Sequence, residues 1–428
     1  MNHRDAEIVP AAPRWTRVLP WLGQTPPLTR RQWRVLGLLG TAELFDQYDL
    51  GILTLALLQI QAGLGIAEEQ VGSLLGLVRL GAIPALLAGV LADRWGRRRL
   101  LLFTVVGFTA TTFATAFVRT PEQFAAVQFL TRTFLYAETS LAVVVVAEEL
   151  TARDRGWGLG VLGALGSLGY AISAGLFAAV GKLPFGWRAL YAVGAVPLLA
   201  MAWLRRGLPE TQRFERARPA ESASRLAPVL ALVRMYPGRL ALLLLVLAPV
   251  EFVSTIGLAF MTKHLQQVHG WRPLAITVLF IVGGGLAIIG NVAAGLASDR
   301  IGRRATMALL LALYGLACFG FYNLGAWLLA PLWIAMIFGA QGAGVLFKVL
   351  GSELFPTSYR STASVLRNAV GTVAGALGLA LESRLYPELG SHAAVISALL
   401  PLLLLPLALG FLLPETASRE LEQIAPER

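Results

Sequence analysis

Gly89-Val90-Leu91-Ala92-Asp93-Arg94-Trp95-Gly96-Arg97-Arg98 returns, 206 residues later, as Gly295-Leu296-Ala297-Ser298-Asp299-Arg300-Ile301-Gly302-Arg303-Arg304. Each copy stands between two long apolar runs. Two more pairs keep nearly the same register. Glu148 and Arg155 answer to Glu353 and Arg360, and Pro209-Glu210-Thr211 answers to Pro414-Glu415-Thr416, each 205 residues apart. Three motifs in one register mark an internal duplication. Arginine-rich tight turns between apolar runs mark the ends of membrane spans. The chain therefore reads as two homologous halves of a membrane bundle. Such bundles suit alternating access, in which one half rocks against the other around a central site.

Composition agrees. Of 428 residues, 56% are hydrophobic and 14% charged, and the mean hydropathy is +0.66. Soluble domains carry about 25% charged residues, so lipid is the expected solvent. The only cysteine, Cys318, lies inside an apolar run and excludes a disulfide framework. The net charge of +11 is no sign of nucleic-acid binding, because the arginines sit in short loops between apolar spans.

Twelve segments approach the roughly 20 residues that cross a bilayer. In the first half they are 33–58, 71–92, 100–118, 123–148, 158–180 and 188–204; in the second, 239–261, 274–297, 305–324, 328–350, 361–381 and 393–413. All are read as helices, since open sheet edges cannot sit in lipid. The fold class is an all-α membrane protein with twelve transmembrane helices in two homologous six-helix halves. The divisions are a cytoplasmic tail (1–32), the N-terminal half (33–204), a cytoplasmic linker (205–238), the C-terminal half (239–413) and a cytoplasmic tail (414–428). The N-terminal tail is Pro- and Arg-rich, without the apolar core of a signal peptide. Trp15, Val18, Leu19, Trp21 and Leu22 suit the membrane surface and a disordered tail equally. About 26 Lys/Arg fall on the side shared by the termini, the linker and both Arg-rich turns, against about six on the other. Positive-inside bias then places both termini in the cytoplasm.

The chain resembles transporters of the major facilitator superfamily over nearly its whole length. Gly89-x-x-x-Asp93-Arg94-x-Gly96-Arg97-Arg98 is similar to the family's motif after the second helix, and Gly295–Arg304 to its echo after the eighth. Arg132, Glu148 and Arg155-Gly156 resemble the fourth-helix pattern of sugar and metabolite porters, and Pro209-Glu210-Thr211-Gln212-Arg213-Phe214 their signature after helix six. Phe45-Asp46-Gln47-Tyr48-Asp49 resembles the first helix of bacterial proton-coupled metabolite and aromatic-acid symporters. The resemblance implies the major facilitator fold and a cytoplasmic latch. That latch is drawn from Gly89, Asp93, Arg94, Gly96, Arg97, Glu148 and Arg155, with Gly295, Asp299, Arg300, Arg303, Glu353 and Arg360 as the second copy. The residues alone allow Arg97 and Arg98 to pair with Glu148 or with anionic lipid, or merely to set topology.

Charges inside the spans are costly and usually functional. Asp46 and Asp49 share one helical face, and Glu251 is the repeat mate of Asp46. With Glu138 and Arg132 they form the proton-coupling set, with Arg132 the expected partner of Asp46, as in the resembling porters. A structural ion pair, or carboxylates lying in a wet cavity, are the plainer readings. Arg79, Lys348 and Arg367 are three cations suited to a carboxylate substrate, joined by Asn291, Gln341 and Asn368 as hydrogen-bonding candidates. Their plainer roles are local pairing of Arg79 with helix-eleven groups, an interdomain network, or glue between helices. Gly158, Gly160, Gly163, Gly166 and Gly169 suit close packing of helix five. The proline-containing glycine motif of drug antiporters is missing there.

The four histidines, His3, His264, His269 and His392, map to tails or outer loops and show no ligand spacing. Neither an enzyme nor a metal or other cofactor is expected. The expected partners are a small-molecule substrate, protons and the lipid bilayer, without nucleic acid, and the chain is expected to act as a monomer in the bacterial inner membrane. The reading is a secondary active transporter, proton-coupled, for uptake of a small organic metabolite, most readily a carboxylate. A sugar or neutral-metabolite symporter or facilitator, and a non-transporting sensor, are the alternatives.

Overall fold

The computed structural model describes residues 25–151, 154–204, 227–356 and 359–417. Among these residues every regular element is helical. The helices group into twelve stretches. The first six are α1 (Arg30–Leu55 continued by Leu57–Leu64), α2 (Glu68–Leu80, Ala82–Ala85 and Ala88–Trp95), α3 (Arg97–Thr115), α4 (Pro121–Glu149), α5 (Arg155–Phe177) and α6 (Trp187–Leu204). The second six begin with α7 (Pro237–Ala259 with Met261–Gln267), α8 (Pro273–Val278, Leu279–Gly283 and Gly284–Ile301) and α9 (Arg303–Asn323). They end with α10 (Leu329–Glu353), α11 (Arg360–Leu389) and α12 (His392–Leu399, Leu400–Leu403, Leu404–Leu409 and Gly410–Leu412). A short helix, Ala227–Met235, precedes α7. The tail residues Trp15 to Leu22 and the Pro209-Glu210-Thr211 motif lie outside the described residues.

Local chemistry sets the helix ends. Thr29 and Gln32 form a capping box that starts α1. Thr120 caps α4, with Pro121 in its first turn, where the missing N–H costs nothing. The duplicated motif supplies one sharp turn per copy. Gly96 between α2 and α3 has φ 89°, and Gly302 between α8 and α9 has φ 96°, a region glycine enters freely and other residues do not.

Several spans read from sequence as single helices are segmented. Residues 393–413 form four pieces, because Pro401 and Pro406 cannot donate to the preceding turn. Residues 71–92 are interrupted at Gly81 and again after Ala85, beside Pro84. Span 274–297 contains a π turn at Leu279–Gly283. Seven of the described helices are individually long and apolar enough to cross a membrane. Large apolar side chains face outward, with Phe117 at 64%, Leu316 at 74% and Trp327 at 80% exposure, as a lipid solvent requires.

The chain forms two compact units. The first holds residues up to Ala56 together with those from Gly81 through α6, and the second holds Leu57–Leu80 with α7 to α12. Both crossings fall at helix interruptions, Ala56 in α1 and Gly81 in α2. In the first unit, Trp33, Leu36, Leu101, Leu141 and Leu162 belong to one apolar core. Gly169 of α5 lies where any side chain would strike the Leu44 carbonyl of α1. In the second unit, Tyr322 donates to the Gly257 carbonyl at 2.6 Å, tying α9 to α7.

Candidate functional site

In the first unit the charged residues of α1 and α4 meet. Arg132 Nη1 lies 3.2 Å from Asp49 Oδ2, and the two side chains are 3% and 1% exposed. Thr112 of α3 donates to Asp49 Oδ1 at 3.4 Å, and Gln128 accepts from Arg132 at 3.4 Å. Asp46, also buried, accepts from Thr139 at 3.3 Å. Arg132 thus pairs with Asp49, one turn from Asp46, its expected partner. Helices α1 and α4 pack antiparallel, so one turn along α1 from Asp46 to Asp49 runs against α4 from Thr139 back toward Arg132. Glu138 is 1% exposed and completes a set of three acids and one arginine within the helices.

In the second unit Arg79 Nη2 lies 2.9 Å from Glu251 Oε2, with side chains 30% and 35% exposed, and it also donates to the Gly371 carbonyl at 3.3 Å. The sequence reading gives Arg79 to substrate and Glu251 to proton coupling; the structure joins them in one ion pair. Arg79 is thus engaged by α7 and α11. Arg367 donates to the Phe347 carbonyl at 3.0 Å and to Asn368 Oδ1 at 3.1 Å. Lys348, Gln341 and Asn368 are exposed. The side chain of Asn291 lies outside the described residues.

The turns repeat the same bond in both units. Arg97 Nη2 reaches Glu148 Oε1 at 3.2 Å, and Arg303 Nη2 reaches Glu353 Oε1 at 3.1 Å. Arg303 also pairs with Asp299 at 2.5 Å. Glu415 of the Pro-Glu-Thr motif accepts from the backbone N–H groups of Arg303 at 2.8 Å and Arg304 at 3.2 Å, capping α9. Burial works to raise the Glu415 carboxyl, but the N–H donors of Arg303, Ala417, Arg304 and Thr416 outweigh it and hold the group below the usual carboxylate range. Thr416 donates to Glu353 at 2.5 Å. Arg360, read as part of this latch, donates to the Phe355 carbonyl at 3.3 Å, and Arg300 is exposed. Gly89 and the side chains of Asp93, Arg94 and Arg155 lie outside the described residues.

One group of side chains escaped the sequence reading. At the end of the second unit away from its Arg-rich turn, Lys263 of α7 pairs with Glu68 of α2. His392 of α12 lies between Glu68 (3.1 Å to Nε2) and Glu382 of α11 (2.5 Å to Nδ1). Lys263 is 1% exposed and Glu382 0%. Histidines expected in outer loops are therefore partly built into helices: His264 is buried, and His392 opens α12 after the Ser391 cap. A signal was available. At the 205-residue offset, Lys263, Glu382 and His392 answer to Leu58, Phe177 and Trp187, and Glu68 answers to Pro273. Four ionisable residues thus stand opposite four apolar ones.

The sequence model of the Major Facilitator Superfamily matches residues 39–379 and 252–427. The chain is 28% identical over 396 residues to the "Probable 4-methylmuconolactone transporter" of Cupriavidus pinatubonensis, covering 89% of this chain and 90% of that protein. It is 28% identical to the "Gallate transporter" of Pseudomonas putida, covering 81% and 83%. The inward open structure of the xylose transporter XylE from E. coli superposes with a TM-score of 0.70 at 18% identity, covering 92% of this chain and 99% of that one. The chain belongs to the Major Facilitator Superfamily, as a membrane transporter and not an enzyme.

Proposed function

We propose that the protein is a monomeric secondary active importer of the bacterial inner membrane. It carries a small organic carboxylate inward together with protons by alternating access, with both termini cytoplasmic. The observation that carries this reading is the dry Asp49–Arg132 pair beside buried Asp46 and Glu138. Burying an ion pair is costly in helices that could be wholly apolar, and removing either charge exposes the other to that cost. A proton arriving on one carboxylate changes the charge of the set by one unit and frees donors of Arg132, which is what coupling requires.

Substrate recognition falls to Arg367, Asn368, Lys348 and Gln341 in the second unit. Arg367 spends two donors on Phe347 and Asn368 and keeps others of its five for a ligand. A carboxylate agrees with the relatives named for gallate and 4-hydroxybenzoate. The excess of arginine on the side of the termini, about 26 Lys/Arg against about six, supports the orientation.

Asp46→Asn is expected to abolish proton-driven accumulation in vesicles while substrate exchange persists; normal accumulation would sink the assignment. The Arg79–Glu251 pair, by removing one cation from play, leaves a neutral metabolite as the second reading. Thermal-shift screening of aromatic acids, short organic acids and sugars separates the two.

A further inference from the structure

Beyond Asp46, Asp49, Glu138 and Arg132, the first unit holds one more acid within α1. Glu43 stands one helical turn from Asp46. α1 begins at Arg30 and α4 ends at Glu149, and Arg31 pairs with Glu149 at 3.0 Å. The start of α1 and the end of α4 therefore lie together. By helix rise, Glu43 is about 4.5 Å nearer that end than Asp46 and about 9 Å nearer than Asp49. Asp49 and Asp46 are fully buried, whereas Glu43 is half-buried. The three acids thus step from a dry interior toward accessible surface. Gly166 of α5 leaves room for the last step, since a side chain there would lie 3.0 Å from Gln47 and 3.3 Å from Glu43.

One side chain joins Glu43 to Asp46. Thr139 of α4 donates to Asp46 Oδ2 at 3.3 Å, and the same side chain reaches the Glu43 carboxyl. Nearby hydroxyls of α4 spend their protons on their own helix. Thr131 donates to the Val127 carbonyl at 2.8 Å, and Ser140 to the Tyr136 carbonyl at 2.7 Å. Thr139 gives its proton to a carboxylate instead. A hydroxyl has one proton to donate and two lone pairs that accept. Between two ionised carboxylates it satisfies one at a time. It bridges both when one of the acids carries a proton and donates it to Oγ1. Gln47 donates to Glu43 Oε1 at 3.1 Å and steadies that carboxyl. The other ionisable groups in the middle of α1 and of the helices packed on it are Tyr48 on α1, Arg132, Tyr136 and Glu138 on α4, Tyr170 on α5 and Tyr191 on α6.

We infer that Glu43, through Thr139, relays the coupling proton between Asp46 and the water on the side of the termini. The step moves two protons by one bond each. The Asp46 O–H breaks as its proton joins Thr139 Oγ1, and the Thr139 O–H breaks as its proton joins the Glu43 carboxylate. Net charge does not change. Asp46 is left ionised and accepting from Thr139, the direction of the bond in the structure. Glu43 then gives its proton to water. This relay rests on the proton-coupled reading of the Asp46 and Asp49 set. It belongs to the first unit alone, because in the repeat register Glu43 answers to Ala248 and Thr139 to Gly344. Gly166 answers to Gly371, which lies against Glu251 in the same way.

The test uses the full chain in proteoliposomes, with radiolabelled gallate and 4-hydroxybenzoate as probes. Three quantities are read: the rate of proton-driven accumulation, the number of protons entering per substrate, and the rate of substrate exchange. In exchange the carrier returns loaded and still protonated, so no relay is needed. Glu43→Gln should slow accumulation by roughly a hundredfold, the lower end of what a positioned proton-transferring side chain contributes. Its exchange rate and its protons per substrate should stay at wild-type values. Asp46→Asn, which removes coupling itself, should lose the protons per substrate. Thr139→Val should behave like Glu43→Gln, and Thr139→Ser, which keeps the hydroxyl, like wild type. Wild-type accumulation in Glu43→Gln overturns the relay. So does an equal loss of exchange and accumulation, which would make Glu43 a structural contact, or a loss of protons per substrate, which would make it a coupling group. A Thr139→Ser variant as slow as Thr139→Val overturns it too. A wild type that accumulates neither probe defeats the proton-coupled carboxylate reading and the relay together. If Asp46→Asn loses accumulation while Glu43→Gln keeps it, the relay alone fails.

Discussion

Asp49 and Glu251 each answer an arginine, on helices that are repeat mates, yet the two pairs differ in kind. Asp49–Arg132 is almost wholly buried, while Arg79–Glu251 is about a third exposed on both sides. The arginines do not correspond: the repeat mate of Arg132 is Ile337 and that of Arg79 is Gly284. In the repeat register Glu251 answers to Asp46, and Asp49 answers to Ser254, so the two ion pairs stand at different positions of the duplication. A dry pair depends on both partners, because each charge alone would be stranded. A wet pair is shared with water and contributes little. One pair therefore forms a charge-sensitive site in the first unit, and the other a tether between α2 and α7 in the second.

The largest expected effect tests that contrast directly. Arg132→Met strands Asp49 and should cost about 3–5 kcal/mol in denaturant unfolding; adding Asp49→Leu should recover most of the loss. If the single variant unfolds like wild type, Asp49–Arg132 is no drier than its counterpart. Next come the turns. Gly96→Ala and Gly302→Ala each force alanine into a backbone region that costs about 1–3 kcal/mol. Gly302→Ala should be the worse, since its new carbon would lie 2.8 Å from the Glu415 carboxylate, and thermal unfolding of both variants ranks them.

Glu415→Gln probes the α9 cap and should cost about 0.5–2 kcal/mol. The sign of its pH dependence follows from the lowered carboxyl. Its stabilisation is complete above the ordinary carboxylate value and fades as pH falls through the lowered one. The difference between wild type and variant should therefore shrink only on acidification; a difference that grows in acid would be against the cap. Arg79→Met should have the smallest effect on stability, about 0.2–1 kcal/mol. A loss as large as that of Arg132→Met would erase the distinction between the pairs.

Twelve helices in two halves were legible because their signals are local. Span length, apolarity and a turn motif 206 residues apart depend on no partner. The Arg97–Glu148 and Arg303–Glu353 bonds were legible too, since each joins a turn to a motif in the same repeat register. Helical period likewise put Asp46 and Asp49 on one face. What period could not give was height against the neighbouring helix, and that placed Arg132 beside Asp49.

Sequence alone thus determined the solvent, the duplication and the sharp turns, all properties of short segments and their spacing. Tertiary structure decided which charges meet. Arg79 found Glu251 across 172 residues, and His392 found Glu68 across 324, because packing rotates and slides whole helices before any side chain selects its partner. It also moved Leu57–Leu80 into the second unit. Two helix interruptions, at Ala56 and Gly81, allow that exchange, and chain order gives no sign of it.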